Sequence, residues 1–379
     1  MMRPGISALL TLALLMVLSL PSCGNGQTAA DSDETTPPTG GGAAPAAADA
    51  APVAKEASSP QWPKPVGDED SALSTGIVGK VIDRMPPSLV LQDVMIQPGE
   101  TAEVSIKLGR GVGSTTINTY PGRRVIVTDG QGAEVLSAKT DQDGRVRFRR
   151  KFAEAGNYFY RATVEGQVEE KDVRPSFFGV YVRDKDVPIV ICDMDKTLVK
   201  SGFGYVLAGL ASPFDGAKEV LHSLVADRGM TVVYLTHRPD FLDSESRAWL
   251  RRYDFPPGPL VGSTLSGLLS GSEKFKTGAI AELKKRYAKL KLAIGDKIAD
   301  ANAYVANQVP SILLPDIEWD KTKAKYWREK LTEIQTVDPG VTVCRDWSEI
   351  SQATLKDVKY PLGRMVEMIR EAARKYEDR

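Results

Sequence analysis

The chain has 379 residues, with 49 Lys plus Arg against 49 Asp plus Glu, so its formal net charge is zero. That balance, with no long basic run carrying interleaved aromatics, argues against a nucleic-acid binder. Three cysteines exclude a disulfide scaffold, and the length leaves room for two domains with appendages.

Residues 1–22 read as a targeting segment. Arg3 gives a positive start, and Ile6 to Leu20 form an apolar run of about fifteen residues, too short for a comfortable membrane span. Leu20-Pro21-Ser22-Cys23-Gly24 then resembles the bacterial lipobox, although Pro21 is unusual in it; an ordinary secretory signal cleaved near Ser22 is the alternative. The resemblance implies lipidation of Cys23, which becomes the mature N-terminus and holds the protein on a membrane. Gly24 resembles the residue found in lipoproteins sorted onward, so the expected location is export to the outer membrane, facing the periplasm, rather than the inner one. Residues 23–72 are rich in Ala, Pro, Gly, Ser and Thr, with almost no large apolar residue before Trp62. Such a stretch cannot bury enough apolar surface to offset its ordering entropy, and it reads as a disordered tether.

Residues 73–184 predict a small all-β antiparallel sandwich. Ala102 to Leu108 and Arg145 to Arg149 alternate apolar with polar, and turn pairs such as Pro98-Gly99, Pro121-Gly122 and Asp143-Gly144 recur near every ten residues. The stretch from Thr140 through Tyr160 resembles bacterial immunoglobulin-like domains. Arg145, Arg147 and Arg149 share one strand face, expected to be solvated, with anionic headgroups or a partner as the sharper alternative.

Residues 185–379 change pattern to strands alternating with helices, which predicts a doubly wound parallel, Rossmann-like α/β sheet. The strands are Val187–Cys192, Met230–Leu235, Leu290–Ile294 and Ser311–Leu314. The helices are Ala217–Arg228, Asp243–Tyr253, Thr277–Lys289 and Ala299–Asn307. Asp193 and Asp195 follow the first strand, where open α/β sheets place their ligands, and two carboxylates there call for a cation. Thr236 ends the second strand. Lys276 opens a helix, with Lys274 as the alternative lysine. Gly295-Asp296-Lys297-Ile298-Ala299-Asp300 puts two acids on one side of a helical turn. Cys192 and Cys344 read as small buried residues, and His222 as a surface or packing residue.

The hhhhDxDxT string, the Thr, the Lys and GDxxxD, in this order, resemble the four motifs of the haloacid dehalogenase (HAD) superfamily of phosphohydrolases. The resemblance implies Asp193 as nucleophile and Mg2+ ligand, and Asp195 as general acid/base whose backbone carbonyl touches the metal. It implies that Thr197 orients the loop, that Thr236 and Lys276 hold the phosphoryl group, and that Asp296 and Asp300 complete the metal site. About twenty residues separate Thr197 from the helix at Ala217, and a similar number separate Tyr253 from Lys276. Neither spacer holds a cap domain, so the site is expected to be capless and open.

Tyr234-Leu235-Thr236-His237-Arg238-Pro239, Phe255 to Leu260, Phe275-Lys276 and Ile294 through Tyr304 are similar to lipin-type phosphatidate phosphatases and the related domain of phosphatidylinositol-transfer proteins. The similarity covers about residues 187–316. It implies a phosphomonoester substrate, with phosphatidate or another lipid phosphate as one candidate. Arg238 follows the Thr motif and is expected to face the cleft mouth, either pairing bidentately with a phosphate or forming a structural ion pair at a loop. Lys196 stands where the family usually has Gly, and the sandwich is not lipin's. The expected activity is Mg-dependent phosphomonoester hydrolysis through an aspartyl-phosphate. The alternatives are a non-catalytic phospholipid- or phosphate-binding module and phosphotransfer to an acceptor alcohol.

Overall fold

The structure, a computed structural model, describes residues 61–63, 87–112, 115–200, 211–264 and 271–377. The leader, Cys23 and most of the expected tether lie outside the described residues, as do 201–210 and 265–270 within the two spacers judged too short for a cap. Among the described residues no helix is long and apolar enough to cross a membrane.

Among the described residues the first half holds nine strands: β1 (Ser88–Val90), β2 (Val94–Ile96), β3 (Thr101–Val112), β4 (Thr115–Thr119), β5 (Arg124–Asp129), β6 (Glu134–Lys139), β7 (Arg145–Lys151), β8 (Gly156–Val164) and β9 (Ser176–Val182). One sheet joins β1, β3, β4 and β7; the other runs β2-β9-β8-β5-β6. Period-2 alternation explains the packing. In β7, Val146 and Phe148 are buried while Arg147 and Arg149 are exposed. The inward residues of both sheets, among them Val104, Val127, Phe148, Tyr160 and Phe178, form one cluster. Arg149 pairs with Glu103 at 2.5 Å on the outer face, and Arg145 donates to Ser105 Oγ, so this basic face is partnered within its own sheet. The expected all-antiparallel arrangement fails at one edge, where β2 runs parallel to β9. The chain crosses from β1 to β2 in the other sheet and returns to β3, so this three-residue strand pairs along one side only.

The second half begins with β10 (Pro188–Cys192), followed by α1 (Ala217–Ala226), β11 (Thr231–Pro239), a 3-10 turn (Asp240–Leu242), α2 (Asp243–Arg252), β12 (Leu260–Ser263) and α3 (Ser272–Arg286). Then come β13 (Lys289–Gly295), α4 (Ile298–Ala306), β14 (Ser311–Leu313), α5 (Ala324–Ile334), β15 (Thr342–Val343), α6 (Trp347–Leu355) and α7 (Leu362–Glu377). The sheet order is β12-β11-β10-β13-β14-β15, with every pairing parallel. Successive residues of β10 face opposite sides. Val190 and Cys192 pack with Leu221 of α1, Trp249 of α2 and Ile350 of α6. Ile189 and Ile191 pack with Ile280 of α3 and Tyr304 of α4. Burial on both faces is why the strand reads as an unbroken apolar run. α3 starts five residues before the expected Thr277, and Lys289 belongs to β13. Extended Tyr287 (φ −127°) ends the helix early.

A polar seam joins the halves. Asp93, just before β2, is fully buried and accepts the backbone N–H of Gly179 at 2.8 Å and of Leu260 at 3.0 Å. Arg247 of α2 lies 3.5 Å from Asp93, and its guanidinium sits 5.6 Å from the Phe177 ring centroid. Arg183 donates to Thr231 Oγ1 at 2.7 Å and to the Gly156 carbonyl at 2.8 Å. Trp62, within the stretch expected to be tether, packs against Phe159 and Phe177 and donates its indole N–H to the Phe255 carbonyl at 2.6 Å.

Candidate active site

Asp193 is the residue after β10, and its amide donates to the Ile294 carbonyl of neighbouring β13 at 2.9 Å. Asp296 follows β13 directly, and Asp300 lies in the first turn of α4. The parallel register therefore brings three acids, distant in sequence, to the carboxyl edge of adjacent strands. One carboxylate oxygen from each lies within 4.8 Å of the others, and all three residues are buried. Gly295 permits this approach: a Cβ there would stand 2.9 Å from the Asp300 Cβ and 3.1 Å from the Tyr304 hydroxyl.

Lys276, in the second turn of α3, reaches into the cluster. Its Nζ is 3.1 Å from Asp193 Oδ1 and 2.8 Å from Asp300 Oδ1. Lys274 is exposed, so of the two lysines Lys276 is the one that reaches the acids. Burial would strip the proton from this ammonium, but Asp193 and Asp300 outweigh it and hold its pKa above the usual lysine value. For the acids, burial is the largest influence. It pushes Asp193 up to about 6 against the pull of Lys276, and Asp296 up to about 8 with further repulsion from Asp193 and Asp300.

Three carboxylates facing one ammonium leave a formal excess of two negative charges. Asp296 Oδ1 and Asp300 Oδ2 are buried with no hydrogen-bond partner. Unpaired, hard, anionic oxygens with a two-charge deficit fit a divalent oxygen-seeking cation such as Mg2+.

Thr236 is buried near the end of β11, beside β10 in the sheet, and its Oγ1 accepts the Arg238 amide at 3.3 Å. The Thr197 carbonyl takes the Trp347 indole N–H at 2.8 Å, and the amides of Leu198 and Val199 close on the Met194 carbonyl. These bonds fix the loop that carries Asp195.

Of the two expectations for Arg238, a phosphate ligand or a structural ion pair, the structure shows an ion pair: Arg238 is buried and turned to Asp195. Its Nη2 and Nε lie 2.7 and 2.9 Å from the two carboxylate oxygens, and its Nη1 donates to Ser246 Oγ of α2 at 3.0 Å. Sequence reasoning missed Ser246 altogether. The available signal was that Arg238 lies two residues from Thr236 on an extended strand, hence on the same side, facing the loop after β10. The His237 ring lies 5.8 Å from that of Phe275, tilted by 44°. His222 is exposed and bonds the Asp254 carbonyl with Nε2 at 2.6 Å. Cys192 and Cys344 are buried free thiols.

Lys196 adopts φ +59°, in the left-handed region, which accounts for the glycine found at this place in the resembling family. Its Nζ is 3.0 Å from Asp316 Oδ2, just beyond β14.

Residues 190–312 match the profile of the LNS2 domain of PITM 1-3. That segment is similar to the LNS2 domain, and the match begins within the Asp193 strand and ends at β14. No curated protein matches the chain. Among solved structures, the D,D-heptose 1,7-bisphosphate phosphatase of B. bronchiseptica, complexed with magnesium and phosphate, is 17% identical. It covers 45% of this chain and 100% of its own, with a TM-score of 0.36. A predicted phosphatase from Clostridium acetobutylicum is 18% identical over 45% of this chain and 99% of its own, with a TM-score of 0.32. The CARDB domain of the Pyrococcus furiosus PF1109 protein is 17% identical over 27% of this chain and 97% of its own, with a TM-score of 0.20. Scores at this level carry no argument beyond the likeness itself.

Proposed function

We propose that the α/β half is a Mg2+-dependent phosphomonoesterase working through an aspartyl-phosphate. The observation that carries the reading is the buried Asp193–Asp296–Asp300 cluster with Lys276 between Asp193 and Asp300. Asp193, Asp296 and Asp300 would hold the cation, with the Asp195 backbone carbonyl beside them. When bound, it screens repulsion between phosphate and carboxylates and draws charge from the transition state. Asp193 Oδ attacks phosphorus as the ester oxygen leaves, taking a proton from Asp195. Water then attacks the phosphorus of the aspartyl-phosphate, Asp195 takes the proton back, and Asp193 and inorganic phosphate are released. Thr236 and Lys276 orient the phosphoryl oxygens. Arg238, anchored by Ser246, fixes the Asp195 carboxylate, which must turn toward the leaving oxygen to act.

Phosphate release with and without EDTA, compared between wild type and Asp193→Asn, tests this reading. Metal-independent release, or release undiminished in the variant, would sink it. A lipid phosphate such as phosphatidate is the finer proposal. Cleavage of soluble esters while phosphatidate vesicles stay intact would defeat it.

One observation favours a second reading, a non-catalytic phospholipid- or phosphate-binding module: both Asp195 oxygens are occupied by Arg238. Binding to phosphatidate vesicles at adequate magnesium, with no release of phosphate, would select it. We further read the chain as exported and lipid-anchored through Cys23 to the outer membrane, with an immunoglobulin-like sandwich between anchor and phosphatase domain. Incorporation of labelled fatty acid into the wild type but not into Cys23→Ser checks the anchor.

A further inference from the structure

Lys196 occupies a backbone position that costs a side-chain-bearing residue about 1 kcal/mol, since φ +59° is relaxed only for glycine. Its visible partner does not offset that cost. The ion pair to Asp316 is exposed on both sides, and such pairs contribute between nothing and about 1 kcal/mol. Stability therefore gives no reason for a lysine here, while its place does. Lys196 follows Asp195, the residue that hands its proton to the departing oxygen. The pair with Asp316 also links the loop after β10 to the loop after β14. In the sheet β13 lies between these strands, and Asp296 follows β13 directly. A cation held by a weak, exchangeable pair thus follows Asp195 directly and ties together the two loops that flank the one carrying Asp296.

We propose that Lys196 is a specificity residue. It exchanges Asp316 for an anionic group carried by the alcohol part of the substrate. The inference rests on the phosphomonoesterase reading and narrows its substrate class to phosphomonoesters with a second negative charge, a carboxylate or another phosphate, within reach of a lysine side chain. Diacylglycerol, the neutral leaving group of phosphatidate, offers Lys196 no such partner.

Two aryl esters of nearly equal shape decide it: 4-carboxyphenyl phosphate and its neutral analogue 4-carbamoylphenyl phosphate. The ratio of their kcat/KM values, measured within each protein, cancels general effects on folding and catalysis. Relative to Lys196→Gly, the wild type should favour the carboxylate ester by about threefold to fivefold, expressed in KM. The preference should shrink in high salt, persist in Lys196→Arg, and grow in Asp316→Asn, which frees the ammonium. An unchanged ratio in Lys196→Gly overturns the proposal while leaving the phosphatase reading intact. A wild type that cleaves neither ester defeats the phosphatase reading instead. Calorimetric affinities of the same two compounds then decide Lys196, equal affinities in wild type and Lys196→Gly rejecting it.

Discussion

Two buried acid clusters in this molecule are built in opposite ways. At the seam, Asp93 meets two backbone N–H groups and Arg247, so its charge is met by the protein itself. At the edge of the parallel sheet, Asp193, Asp296 and Asp300 share one ammonium, and two of their oxygens meet nothing. Donors close around Asp93, although its neighbour Asp243 has none for either oxygen, whereas the sheet edge gathers three acids short of donors around one point. A cluster short of donors is a place where a cation is at home; a satisfied one is a fastener.

The sharpest break of this contrast is at the sheet edge. Asp193→Asn should lower phosphate release by about a thousandfold or more, read in single-substrate kinetics. Next is the seam. Asp93→Ala strands Arg247 and two N–H groups, and should cost about 3 kcal/mol in urea unfolding while kcat of the folded protein is preserved.

A third measurement separates the clusters by metal and pH. Asp193 and Asp296 have folded pKa values of about 6 and about 8, above the ordinary carboxylate value. The folded, metal-free state therefore keeps protons that the unfolded chain has lost. The contribution of these two acids to its stability is greatest in acid and is lost as pH rises from about 4 to about 8. Magnesium opposes that loss, so its stabilisation should be greater at pH 8 than at pH 5, reaching about 3 kcal/mol at a hundredfold excess over Kd. Thermal unfolding with EDTA or Mg2+ at the two pH values checks this. Equal stabilisation at both would separate the acids from the metal. The smallest effect is Lys196→Gly, expected to stabilise by about 1 kcal/mol as the left-handed backbone relaxes, read as a rise in Tm.

The sheet edge was legible because each of its residues ends a strand or opens a helix, and parallel pairing converts those positions into one place. Asp193, Thr236, Asp296 and Asp300 could be named from apolar runs and the residues that stop them. Lys276 could be narrowed only to a pair, because helix start and burial decide which lysine turns inward. That Arg238 pairs with an acid was one of two open readings, but its partner Asp195 was not legible. An arginine near phosphate-binding residues reads equally as a ligand or as an ion pair until the loop opposite it is placed. The seam was hidden for a related reason: Asp93 and Arg247 are ordinary surface residue types, and only the docking of two separately patterned halves buries them. β12 and β15 escaped because short edge strands carry too few residues to display a period.

Trp62 has a mechanical consequence. Its ring packs on the sandwich aromatics and its indole N–H is bonded to the loop before β12, so the N-terminal segment is fastened to both halves at once. Tension applied from the N-terminal side reaches the folded body at this bolt before it reaches β1. The first element to yield under load is then a single side chain across the junction, and both sheets are shielded until it slips.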